Sequence, residues 1–95
     1  MNTAAFEYST TPNDAAINWF RTMDFERIKG QLYTYAGRLA LHGVGIGTYG
    51  VVRALVIVIS ERSGDDGESS YTEPQKAYRR ELLPAARKLQ AMYAA

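Results

Sequence analysis

The chain has 95 residues, 46% of them hydrophobic and 22% charged, with a formal net charge of +1, which is room for one domain whose halves could not each hold a core. That balance excludes a disordered chain, because apolar burial can offset the entropy lost on folding. The lack of cysteine excludes disulfides and thiolate metal ligands, and it points to a reducing cytoplasm.

Residues 1–12 read as an N-terminal arm. Thr3, Ser9, Thr10, Thr11 and Pro12 carry no sustained period, and Phe6 and Tyr8 are its only anchors. The first twenty residues contain Glu7 and Asp14 but no Lys or Arg, so a secretory signal is not expected. Residues 13–95 read as a single helical domain. A first helix begins with Asn13 as cap and Asp14 at the positive end of the dipole, and Ala16, Ile17, Phe20 and Met23 share one side. A second starts near Asp24, where Phe25, Ile28, Leu32, Tyr35 or Ala36, and Leu39 follow three-and-four spacing. Gly30 and Gly37 interrupt that pattern at up to about 1 kcal/mol each relative to Ala, and are expected to permit close helix packing.

Gly43, Gly45, Gly47 and Gly50 then lead into Val51–Ile59, the most apolar run, whose one polar side chain is Arg53. It is too short and too interrupted for a membrane span, which needs about 20 apolar residues. The run is rich in β-branched residues, which favour a strand. A lone buried strand needs partners, however, and no other segment alternates with period two, so residues 49–62 read as a buried helix with a strand at 51–59 as the alternative. Residues 63–70 form an acidic, flexible loop. Thr72-Glu73-Pro74-Gln75 has the pattern of a capping box opening the last helix, which Pro84 should kink near Leu83 because it cannot donate to the Arg80 carbonyl. The expected architecture is all-α, a small bundle of three to four helices behind a flexible arm.

Chemistry is sparse. Gly45-Ile46-Gly47-Thr48-Tyr49-Gly50 matches the spacing of a dinucleotide fingerprint, but the segment before it is helical in period and no second βα unit follows. A weaker form remains, in which Gly45, Gly47, Tyr49 and Arg53 hold a phosphate or carboxylate at a helix start. Arg53 otherwise needs a carboxylate such as Glu26 or Asp24, since a buried unpaired guanidinium is costly. His42, the sole histidine, fits a favourable charge at a helix C-terminus. Asp65, Asp66 and Glu68 lack the spacing of a calcium loop. No spacing proposes a nucleophile and base, so neither catalysis nor a metal nor a cofactor is expected.

On the last helix Tyr78, Leu82, Ala85, Leu89 and Met92 fall on one side at about 100° per residue, and Lys76, Arg79, Arg80 and Arg87 on the other. Residues 74–95 hold five basic groups and one acidic, net +4, whereas residues 60–73 hold one basic and five acidic, net −4. A basic stripe near tyrosines is compatible with phosphate contacts and base stacking. The seven tyrosines, and a central helix apolar all round, point to assembly: a homo-oligomer or a dedicated protein partner, and no membrane. The leading expectation is a small cytosolic interaction protein, a self-associating inhibitor or adaptor in the style of viral or mobile-element factors that block a host machine. A nucleotide or nucleic-acid binder using Arg53, Tyr49 and the basic face of the last helix is the alternative.

Overall fold

The computed structural model describes residues 13–43 and 48–94; the arm at residues 1–12 and the turn glycines Gly45 and Gly47 lie outside the described residues. Among the described residues there are helices and no strand. Helix α1 (Asp14–Arg21) starts where the Asn13 side chain accepts from the Ala16 amide at 3.1 Å. It stops at Thr22, whose hydroxyl donates to the Trp19 carbonyl. Two residues later Asp24 caps α2 (Phe25–His42) by accepting from the Arg27 amide. That helix ends at Gly43, whose φ of 69° is the left-handed geometry that suits glycine.

The apolar run is a helix, α3 (Thr48–Ser63), so the strand alternative for residues 51–59 is overturned. β-branched side chains lose little in a helix once packing selects their rotamer, and here packing comes from three neighbouring helices. Val52, Ala54, Leu55, Val58 and Ile59 are all fully buried. At about 100° per residue the buried residues of α3, with Gly50, Val56 and Ser63 included, cover an arc of about 240° around the axis, so burial overrides the strand preference of the same residues. The side left open carries Tyr49, Arg53, Ile57 and Ser60, and Glu61 is exposed near the end of the helix. The sequence suggested that a second chain would be needed to cover this helix. The helices flanking it in the same chain do so.

Contacts between ends establish the topology. Asn13 donates its amide to the Gly50 carbonyl, whereas Arg21 pairs with Glu61 at 2.7 Å, so α1 runs alongside α3 in the same direction. The Arg62 guanidinium donates to the Arg21 and Met23 carbonyls and to the Tyr78 hydroxyl. That places the end of α3, the start of α2 and the start of the last helix together. At the other end the Tyr93 hydroxyl donates to the Tyr35 carbonyl at 3.1 Å. The chain therefore runs up, down, up and down, with α3 in the middle.

The last helix comes in three consecutive pieces: α4 (Glu73–Ala77), a π-helical segment (Tyr78–Leu82) and α5 (Leu83–Ala94). The capping box is formed in both directions, Gln75 amide to Thr72 hydroxyl and Thr72 amide to Gln75 side chain. Pro84 shows its effect as the π turn. Its ring cannot tolerate the carbonyl four residues back and it offers no N–H. The chain accommodates this by widening the preceding turn, so that the Leu83 amide bonds to the Tyr78 carbonyl five residues earlier.

Because Ile59 is fully buried against the flanking helices, Ile59→Ala should lower unfolding free energy by about 2–5 kcal/mol in urea titration. A loss below about 1 kcal/mol would mean that α3 is not the core.

Candidate interaction surface

A π turn adds one residue to a helical circuit, so every face after it is shifted by one position. Of the five residues placed on one side of the last helix by the sequence, Tyr78, Leu82 and Leu89 are buried and Ala85 and Met92 are not. Ala86 and Tyr93 are buried in their place, with Leu82, Leu83 and Leu89, while Ala85 is exposed and Met92 is 49% exposed. Burial, and then the neighbouring Tyr35, pushes the Tyr93 phenol above its ordinary value, so it remains a neutral donor.

Turning Ala85 and Met92 outward opens a groove against α2. Its walls are Leu32, Tyr33, Ala36 and Leu39 on one side and Ala85, Lys88, Leu89 and Met92 on the other, around a volume of about 280 Å³. Leu32 and Leu89 form the floor, and Tyr33, 63% exposed, forms a rim with Met92. Lys88 supplies the one cationic group of the lining, and among the described residues no carboxylate lies within 4 Å of its ammonium. No spacing in the sequence marks this groove, because it depends on the π turn.

The basic face of the last helix has a different character from a free stripe. Arg79 and Arg87 share Asp66, the latter at 2.9 Å. Lys76 pairs with Glu73 at 3.2 Å, and Arg80 lies 3.9 Å from Glu81. Arg79 also donates to the Ser63 and Gly64 carbonyls at 3.2 and 3.0 Å, capping α3, and lies 4.6 Å from the Tyr71 ring centre. The Tyr71 hydroxyl donates to the Asp65 carbonyl and accepts from the Glu68 amide. Where the sequence suggested a flexible acidic loop, the structure holds one tied to two helices. Gly64 is required there: φ is 74°, and an added Cβ would come within 2.9 Å of the Gln75 side chain.

Arg53 and Tyr49 do meet, with the guanidinium 5.9 Å from the ring centre, on the half-exposed strip of α3. Asp24, one of the acids considered for Arg53, serves as the cap of α2. His42 is exposed in the last turn of α2. Among the described residues no group of three or more His, Asp or Glu is placed to hold a metal ion, and no helix is long and apolar enough to cross a membrane.

No protein-family model matches the chain, and neither a curated protein nor a solved structure matches it.

Hydrogen bonds from Arg79 and then Arg87 hold the Asp66 carboxyl below the usual carboxylate range. A carboxyl lowered by folding stabilises the folded chain above its unfolded value of about 3.9, and that contribution disappears as pH falls through the lower folded value. Asp66→Asn should therefore lower the melting temperature at neutral pH, and the gap from the parent should close below about pH 4. Because the pair is exposed, 1 M salt should also narrow the gap through screening (Debye length about 3 Å). Calorimetry across pH checks both trends; a gap independent of pH would mean that the loop is held by other contacts.

Proposed function

We propose that this chain is a small protein-interaction module, an inhibitor or adaptor, that docks a partner in the groove between α2 and α5. The observation that carries the reading is the groove itself: a trough of about 280 Å³ lined, apart from Lys88, by apolar side chains and Tyr33. Exposed apolar surface rimmed by polar groups is what protein-binding sites offer. Lys88 at its edge favours a partner that presents an apolar side chain next to an acidic one. The absence of cysteine suits action in a reducing compartment, the cytoplasm.

The nucleotide or nucleic-acid alternative has less support. Lys76, Arg79, Arg80 and Arg87 each face a carboxylate, so a phosphate would have to displace a partner already in place, Asp66 above all. The Arg53–Tyr49 contact is compatible with that alternative but selects no ligand.

Tagged protein incubated with extract from its native source should retain one stoichiometric partner. Ala85→Glu and Met92→Glu, both at exposed positions, should keep the helical circular dichroism of the parent and lose that partner. Arg80→Ala, off the groove, should retain it. Equal capture by all four proteins would overturn the groove as the site. Capture abolished by nuclease, or falling steeply between about 50 and 200 mM salt, would favour nucleic acid.

A further inference from the structure

The three helices around α3 leave about 120° of its circumference open. Tyr49, Arg53, Ile57 and Ser60 lie on that side within an arc of about 80°; the first three are half-buried and Ser60 is exposed. Helix α1 borders the open side through Gly50 and Glu61. The last helix borders it through Leu83 and Arg87, which share a small hollow with Ser60. These two helices pack on α3 and form no layer with each other. Between them runs a shallow channel, with an aromatic ring and an isoleucine on its floor and Arg53 as the one charged side chain there.

The N-terminal segment of the chain joins the bundle at the lower end of this channel. The Asn13 amide donates to the Gly50 carbonyl at 3.1 Å, and Asn13 itself is extended, with φ −78° and ψ 111°. Residues 1–12 lie outside the described residues, but their length, their charge and their point of attachment are known. Arg53 stands about 4.5 Å and Ile57 about 10 Å along α3 from Gly50. Glu7 and Phe6 precede Asn13 by six and seven residues, a reach of up to about 20 to 24 Å. Both therefore arrive with slack. Glu7 is the only charged side chain among residues 1–12, and its sign is opposite to that of Arg53. In an extended, polyproline-like segment consecutive side chains are about 120° apart, so Glu7 and Phe6 can face α3 together.

We propose that residues 1–12 pack along the open side of α3, with the Glu7 carboxylate on the Arg53 guanidinium and the Phe6 ring on Ile57. A free phosphate would satisfy Arg53 and leave Ile57 bare. The arm brings an acid and an aromatic ring side by side, on a tether that spares the cost of capturing a second molecule. It is then the fourth neighbour of α3, and the anion site at the start of that helix is held by a carboxylate of the same chain. The groove between α2 and α5 is a separate surface, because none of Tyr49, Arg53 and Ile57 lines it.

Nuclear Overhauser spectra of the full chain test the proposal. Cross-peaks should join the Phe6 ring to the Ile57 methyls. Glu7→Lys and Arg53→Glu should each weaken them and lower the melting temperature, and the variant with both charges exchanged should recover both. Glu7→Lys changes no residue of the helices, so its helical circular dichroism should match the parent. A parent without these cross-peaks would overturn the proposal, and cross-peaks indifferent to Glu7→Lys would overturn the ion pair. Cross-peaks found only between differently labelled chains in a mixed sample would give the channel to a second copy, and their loss on adding millimolar inorganic phosphate would give Arg53 to a free anion. Either result would overturn the arm as the standing occupant. Ala85→Glu should leave every cross-peak in place, so the fate of the groove is read separately.

Discussion

Covering most of the circumference of α3 is the requirement to which the other helices answer. Eight of its sixteen residues are buried, and they cover an arc of about 240°, wider than one neighbouring helix could cover. Three neighbouring helices, running up, down and down beside it, do. Phe20 and Met23 come from the end of α1 and the turn after it, Ile28 and Leu32 from α2, and Leu82, Leu83, Ala86 and Leu89 from the last helix. Each neighbour needs only one apolar stripe, and that is how their sequences are written. In a chain this short the arrangement leaves little apolar material for any other purpose, which makes the apolar groups left outside informative.

Those outside groups trace to one residue. Pro84 cannot sit over a normal turn, and the π segment that accommodates it advances the buried face by one position. Had the helix stayed regular, Ala85 and Met92 would have faced the core with Leu82 and Leu89, and Ala86 and Tyr93 would have lain towards the edge of that face. The shift has two consequences. Tyr93 comes inside and ties the end of the last helix to α2 through the Tyr35 carbonyl, and Met92 goes outside to border a groove. π turns are often found where a helix gives up regularity for a site.

Much of the fold was legible because it was written locally. Asn13, Asp24 and the Thr72–Gln75 box cap helices in the structure as their side-chain chemistry implies, and the three-and-four spacing of Ile28 and Leu32 finds its core. The choice between helix and strand for residues 51–59 was not local. β-branching argued for a strand, and only the count of available partners argued against it. The groove was illegible for a deeper reason: a periodicity argument assumes a constant angle per residue, and one widened turn invalidates it for everything downstream. Charge was half legible. The −4 and +4 segments were plain in the sequence, but that Asp66 would take both Arg79 and Arg87 depends on a loop folding back over two helices.

That folding back constrains how such a molecule can recognise anything. Opposite charges adjacent in sequence have neutralised one another in space, and exposed pairs of this kind each add little to stability. Their larger effect is on the far field: with net charge +1 and its largest blocks of charge locked together, the chain has weak means of steering a partner from a distance. Recognition by the proposed groove would then rest on contact, on the shape of an apolar trough. Interactions of that type depend weakly on ionic strength and strongly on single side chains at their centre. They are also easily built on a rigid scaffold, and a central helix covered over most of its circumference suits that role. The investment in α3 and the scarcity of chemistry elsewhere then have one explanation, since a protein that acts by occupying a partner needs a fixed shape more than it needs a reactive group.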